Sequence, residues 1–362
     1  MKYVPGEDGR MYEKSTWIRL PRSVVVGHGV LEDTVEAVEE LFLDGPPLVV
    51  TSPTPRKLAG DRLVAAFEDA GFDPAVVVIE EATFAMVQEV LETAAEVDAG
   101  FMIGLGGGKP IDIAKMASDE FGCGFVSVPT AASHDGIVSG RGSVPEGDTR
   151  HSVAARPPLA VVADTELIAN APWRLTTAGC ADVISNYTAV KDWQLAHRLK
   201  NVEYSEYAAA LSQMTAELLV DRSDAIKRGL EESAWVVTKA LVSSGVAMSI
   251  ADSSRPASGA EHLISHQLDR IAPGAALHGH QVGVASIVTE YLHSGEGGEW
   301  RRVRDALAGI DAPTTAAELG VDDEQFLEAM TTAHEIRERY TILGDGIEAE
   351  AATEAATVTG VL

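Results

Sequence analysis

Apolar residues in the first half of the chain come in short unbroken runs, separated by stretches where they recur every three or four positions. The runs are Leu48–Ser52, Ala75–Ile79, Gly100–Gly104, Gly124–Val128 and Leu159–Ala163. Unbroken apolarity over so few residues suits strands covered on both faces. Between the runs, Arg56–Ala70 and Thr83–Val97 carry the helical period. Strand–helix–strand alternation predicts a mostly parallel sheet with helices on both sides. Thr16–Leu20 and Val24–Gly27 read as extra edge strands. After about Asp164 the texture changes to helix alone: Leu175–Leu199, entered through Pro172, then Glu203–Val220, Ala234–Ser249, Gly259–Asp269, Gln281–Leu292 and much of the remainder. The expected fold is an α/β domain over residues 1–164 followed by an all-α domain over residues 165–362, with an active-site cleft between them.

Composition narrows the classes. A chain of 362 residues exceeds the usual single core, which fits two domains. No stretch reaches the roughly 18–20 uninterrupted apolar residues of a membrane span. The first residues lack the apolar centre of a signal peptide, so a cytoplasmic location is expected. Cys123 and Cys180 have no CxxC spacing and are expected to be reduced. Acidic residues number 55 against 28 basic, a net charge of −27, yet hydrophobic residues make up 46%. High hydrophobicity excludes disorder, and the missing basic face argues against nucleic acid or anionic membrane as partner. Carboxylates spread along the whole chain fit adaptation to concentrated salt, where at about 1 M the screening length falls to roughly 3 Å. An ordinary acidic enzyme is the alternative.

Two turns carry candidate chemistry. Gly104, Gly106, Gly107, Gly108, Lys109 and Pro110 join an apolar strand to the helical run Ile111–Ser118. Such a turn lets backbone approach a pyrophosphate at a helix N-terminus. It fits neither GxGxxG nor the P-loop spacing, and a tight turn without ligand stays open. A second polar loop, Thr130–Gly136, leaves the next strand with Thr130, Ser133, His134 and Asp135. Both loops would lie at the carboxyl edge of one sheet, where open α/β sheets bind ligands. Capping of the turn would equally explain Thr130 and Ser133.

Histidines form the second constellation. His262 and His266 share one helix face, and His278 and His280 follow shortly after. Imidazole is a preferred zinc ligand, and three protein ligands with an open position is the catalytic arrangement. Asp182 lies in an apolar, small-residue helix, where a carboxylate needs a partner. A hydrogen-bonded helix face would account for the histidine pair, and His280 could be a surface residue. No glutamate follows His262 in the HExxH manner, so metalloprotease chemistry is not expected.

The order and spacing of these motifs resemble the iron/zinc polyol dehydrogenase superfamily, which includes glycerol dehydrogenase and 3-dehydroquinate synthase. The matching stretches are Ser15–Arg22, Val24–Val30, Gly106–Lys109, Val128–Gly136 and Arg339–Leu343, together with the histidine motifs. They are most similar to the archaeal branch that forms sn-glycerol 1-phosphate. The resemblance implies a Rossmann-like sheet domain and a dehydroquinate synthase-like whole. It implies zinc held by Asp182, His262 and His278, with NAD(P)H as the second cofactor. Gly106, Gly107, Gly108, Lys109 and Asp112 would lie along the cofactor pyrophosphate, and Thr130, Ser133 and Ser139 beside its nicotinamide half. Asp135 would bind a substrate hydroxyl, and His266 would sit by the substrate as a proton relay. Iron-dependent relatives have a histidine where this chain has Asn186, which favours zinc. Gly140, before Arg141, stands where the resemblance leads one to expect proline.

The implied reaction is reduction of dihydroxyacetone phosphate to sn-glycerol 1-phosphate, which supplies archaeal ether lipids, in a cytoplasmic homo-oligomer. An archaeal source in brine would account for the acidic surface as well. Arg141, Arg150, His151 and Arg156 form a local basic excess, expected to receive the substrate phosphate; a surface hairpin with ordinary charges is the alternative. Competing functions are a glycerol dehydrogenase on unphosphorylated polyol, a dehydroquinate synthase-type lyase, and a non-catalytic nucleotide-binding module with a structural metal.

Overall fold

The computed structural model describes residues 17–146 and 149–362, apart from the side chains of 145–152. Its strands are β1 (Ser23–Gly27), β2 (Pro47–Thr51), β3 (Ala75–Val78), β4 (Phe101–Gly106), β5 (Gly124–Pro129), the hairpin β6 (Arg141–Glu146) and β7 (Thr149–Ala154), and β8 (Ala160–Asp164). Six of them form one parallel sheet in the order β1-β8-β5-β4-β2-β3. Helices α1 (Thr34–Glu40), α2 (Asp61–Asp69), α3 (Phe84–Glu96) and α4 (Gly108–Phe121) connect these strands. The chain then continues through α5 (Trp173–Lys200), α6 (Glu206–Arg222), α7 (Glu231–Ala251), α8 (Ala260–Ile271), α9 (His278–Ser294), α10 (Trp300–Gly309), α11 (Asp323–Thr332) and α12 (Ala349–Thr359).

The alternation of side chains along β4 divides the core. Phe101, Ile103 and Leu105 pack with Leu63 and Phe67 of α2 and Val38 of α1. Met102 faces the other way, among Val87 and Val90 of α3 and Ile113 of α4. Helices therefore cover both faces, as the unbroken apolar runs predict. This second cluster continues into the helical part, through Ile184, Leu241, Leu263 and Val284.

Three features differ from the pattern. Trp17–Leu20 is irregular, while Thr16, like Ser15, lies outside the described residues. Arg56–Gly60 is a π-helical turn leading into α2. The β6–β7 hairpin has too little apolar alternation to read as strands, but it is fastened down: Ser143 N–H donates to Asp112 Oδ2 (3.1 Å) on α4.

Among the described residues one helix, α7, is long and apolar enough to cross a membrane by length and composition. Half of that stretch is buried within the protein. Its polar Ser244 bonds both Asn186 and Asp135, as a packed core helix allows.

Candidate active site

The sheet places both polar loops at one edge. Gly106 (φ +146°) ends β4, and a Cβ there would lie 2.6 Å from Pro110 and 3.0 Å from Pro55, in the turn after β2. β2 and β4 are neighbours from which the chain winds outward in opposite directions, so their ends flank the switch-point crevice. A Cβ on Gly108 would strike His134 Nε2 at 2.1 Å, which ties the glycine turn to the loop after β5. The Thr130 N–H donates to the Gly106 carbonyl (2.9 Å). Gly107 and Gly108 are half-buried, Lys109 is exposed at the helix start, and Thr130 and Ser139 are buried beside half-buried Ser133.

Asp112 has a different setting. Its carboxylate lies beneath the turn, bonded to Lys115 Nζ (3.1 Å) and to the hairpin through Ser143. Lys115 is fully buried, and its other donors reach the carbonyls of Gly136 and Arg141, each at 2.6 Å. One buried ammonium thus fastens the Asp135 loop and the hairpin to α4, its three donors satisfied. No pattern of residues signals this, because a lysine inside an amphipathic run reads as a surface residue.

Asp182, His262 and His278 converge. Asp182 Oδ1 lies 3.8 Å from Nε2 of each histidine, too long for a hydrogen bond. The three ligand atoms fall within 4.8 Å of one another, close enough for a small inward movement of the side chains to bring all three onto one cation. Oδ2 of Asp182 accepts the Asp135 N–H (3.0 Å), which leaves Oδ1 for the histidines.

Neighbours set both imidazoles. His262 Nδ1 meets Glu261 Oε1 at 2.9 Å, and a carboxylate there requires Nδ1–H, so Nε2 keeps its lone pair. Ser265 donates its hydroxyl proton to Gln281 Oε1 (2.7 Å), so it accepts from His278 Nδ1 (2.9 Å). The Nε2 of His278 is thereby left to ligate, and Gln281 is held in turn by Asp269 (3.1 Å). His266 stacks on His278, with ring centroids 5.7 Å apart and planes 21° from parallel. Two imidazoles and one carboxylate in a polar, half-closed setting suit zinc.

Charge in the site is poised for a cation. Burial raises the Asp182 carboxyl well above its ordinary value, and neighbouring Asp135 adds to the rise. Asp135 is raised by burial too, against a hydrogen bond from Ser244 (2.9 Å) and the nearby His134 and His262. Burial works the same way on Glu261, but the bond with His262 overcomes it and lowers that carboxyl. Glu261, Ser244, Ser265 and Gln281 escaped the sequence reading, since only the folded packing shows what each one holds. His280 is not on the surface: it is buried beside Thr177 (2.9 Å), and burial together with Arg174 lowers it to about 4. Both cysteines are free, as expected, and burial pushes Cys180 up to about 12.

Of the expected basic patch, Arg156 pairs with Asp119 (3.0 Å) at the surface. The side chains of Arg150 and His151 lie outside the described residues. Arg141 begins the hairpin next to the second loop.

A family description, iron-containing alcohol dehydrogenase, matches residues 25–172. A glycerol-1-phosphate dehydrogenase [NAD(P)+] of Natronomonas pharaonis is 83% identical over 352 residues, covering 97% of this chain and all of that protein. Its counterpart in Haloarcula marismortui is 75% identical over the same length and shares. The chain belongs to the archaeal glycerol-1-phosphate dehydrogenase family. Members of that family are oxidoreductases, and the superfamily resemblance read from the motifs is the correct one. A probable glycerol dehydrogenase from Sinorhizobium meliloti shares the fold (TM-score 0.79, 20% identity, 95% of this chain and 98% of that one).

Proposed function

We propose that this chain reduces dihydroxyacetone phosphate to sn-glycerol 1-phosphate with NAD(P)H, using one zinc ion held by Asp182, His262 and His278. One observation carries the reading: two imidazoles of fixed tautomer present Nε2 to a single carboxylate oxygen, in a chain of this family. The relatives' names supply the phosphorylated substrate and the NAD(P) cofactor. Zinc is favoured over iron because Asn186, one helical turn beyond Asp182, spends its amide on Ser244 (3.0 Å) and adds no imidazole.

In this reading the zinc supplies Lewis acidity toward the substrate carbonyl, and the nicotinamide supplies the hydride. Asp135, backed by Ser244, accepts a substrate hydroxyl, and its N–H steadies the Asp182 ligand. His266, stacked on His278, lies on the route by which the product oxygen takes its proton. Gly106, Gly107, Gly108 and Lys109 receive the pyrophosphate at the start of α4, with Asp112 supporting them from beneath. Thr130, Ser133 and Ser139 border the nicotinamide half. Residues 1–164 and 165–362 then act as cofactor and metal domains on either side of the cleft. We take the enzyme to be a cytoplasmic homo-oligomer supplying glycerophosphate for archaeal ether lipids.

The test is oxidation of NADH and NADPH with dihydroxyacetone phosphate in roughly 1–3 M salt, a range chosen so that surface carboxylates are screened. Chelation should abolish turnover and zinc should restore it, with little rate on unphosphorylated dihydroxyacetone. A zinc-loaded, folded protein without turnover on the phosphate would overturn the reading, and a preference for the free polyol would replace it.

A further inference from the structure

Beside the metal triad lies a group of arginines that runs against the acidic character of the chain. Arg339 donates to the Ser258 carbonyl and, at 2.8 Å, to Ser254 Oγ. Arg337 donates to Ser258 Oγ (2.8 Å), and Arg255 reaches the Tyr340 carbonyl (3.4 Å). Ser258 sits two residues before α8, whose first turn carries His262. Arg141 lies close enough to raise the electrostatic cost of charge on Arg337 and Arg339. Its backbone is pinned by Lys115, and it lines a cleft of about 110 Å³ together with Ser254, the partner of Arg339.

These cations are half-buried without the carboxylate partners that several other arginines have. Arg56, Arg62, Arg156 and Arg302 each have a carboxylate within ion-pair distance. Among the described residues, none of Arg141, Arg255, Arg337 and Arg339 does. The two carboxylates whose fields reach them are committed elsewhere. Glu261 serves His262 and Thr188, and Asp192 serves His293 and the N–H groups of Ala260 and Ile342. Arg337 Nε is buried without a hydrogen-bond partner. Burial, with repulsion from the other arginines, lowers Arg337 to about 10 and Arg339 well below its ordinary value. Grouping unpaired guanidinium ions out of water is costly unless an anion completes them. Their forked donors match the oxygens of a phosphate.

We propose that Arg141, Arg337 and Arg339, with Arg255 behind them, form the subsite for the phosphate dianion of the substrate. This rests on the dihydroxyacetone phosphate reading and corrects the expected patch: Arg141 keeps its place, whereas Arg156 gives way to arginines almost two hundred residues further along the chain. A phosphate held there is next to the start of α8, and so beside the first turn that bears His262. The other phosphate donor in the system is the 2′-phosphate of NADPH, and the test separates the two.

The test uses the zinc-loaded enzyme and its R141Q, R337Q and R337K variants in concentrated KCl. Arg141 makes no side-chain hydrogen bond among the described residues, so R141Q is the variant least able to disturb the fold. R141Q and R337Q should each cut the preference for dihydroxyacetone phosphate over dihydroxyacetone, measured as a kcat/KM ratio, by about 30-fold or more. R337K should recover part of it. Inorganic phosphate should compete with dihydroxyacetone phosphate in the wild type and do so at least tenfold more weakly in R337Q. A parallel fall on both substrates would mark the arginines as structural and overturn the proposal. A rise in KM for NADPH but not NADH would overturn it in favour of the cofactor phosphate. Should the wild type show no preference for the phosphorylated substrate, the functional reading fails by itself. Broadening of the inorganic phosphate ³¹P signal then decides the anion site: broadening by wild type and not by R337Q supports it, equal behaviour overturns it.

Discussion

Glu261 shows how a fully buried residue behind the triad can set its geometry. It is fully buried one position before His262, and accepts from that imidazole (2.9 Å) and from the Thr188 hydroxyl (2.9 Å). In the proposed zinc site its charge would make Nε2 of His262 a better ligand, and the bond fixes the ring. Glu261→Gln keeps the size and one acceptor but removes the charge. It should weaken zinc about 10- to 100-fold, as competition with a chromophoric chelator would measure. Turnover at saturating zinc should fall less than affinity does, and unchanged affinity would reduce Glu261 to a packing role. Histidine spacing made His262, His266 and His278 legible in the sequence, because one helix face and a short connection bring such residues together. Glu261 was not legible. Its partners Thr188 and Gly259 come from another helix and from a cap, and nothing in the order of residues joins them. Asp112 is the converse, a polar residue conspicuous in the glycine turn whose carboxylate is taken up by Lys115 and Ser143.

At the scale of elements, the triad depends on how closely α5 and α9 approach. A Cβ on Gly279 would stand 2.0 Å from the Ala178 carbonyl oxygen, and one on Gly179 2.1 Å from the Ala132 carbonyl oxygen. These two glycines bring the Asp182 helix against the second loop on one side and against His278 on the other. Gly279→Ala should therefore destabilise by about 1–3 kcal/mol in thermal unfolding, since backbone must move, and should depress turnover along with it. Gly283→Ala meets only the Ala181 methyl (2.9 Å) and the Leu307 side chain (3.2 Å), so it should cost less. Gly297→Ala, with open space around it, is the neutral control. If all three behave alike, close helix approach is not what the glycines provide. The buried strands were read from the sequence to within a residue or two, because apolar runs record burial on both faces. The hairpin is only an alternative in the sequence, because β6 holds its place through backbone bonds to Asp112 and Lys115, which leave no hydrophobic signature.

Over the whole molecule, the charge of −27 acts on a fold in which several buried carboxylates outside Asp182 and Asp135 already have partners. Glu290 is met by Lys191 (2.6 Å), Asp192 by His293 (3.0 Å) and Glu261 by His262, so salt has little to offer these groups. The excess acid lies instead on the outer helix faces, at positions such as Glu36, Glu68, Glu92, Glu324 and Glu350, all exposed. Repulsion there opposes the compact state more than the expanded one, and mobile ions weaken it. If screening is the mechanism, Tm should climb steeply from about 0.1 to 1 M KCl, where the screening length shrinks from roughly 10 to 3 Å, and then level off. A gain of a few kcal/mol would appear as roughly 5–15 °C. Continued rise beyond that point, larger in sulfate than in chloride at equal ionic strength, would assign the effect to exclusion of salt from the protein surface. A Tm flat across the series would remove surface repulsion as the meaning of the composition. The acidic residues would then have to be explained by solubility alone.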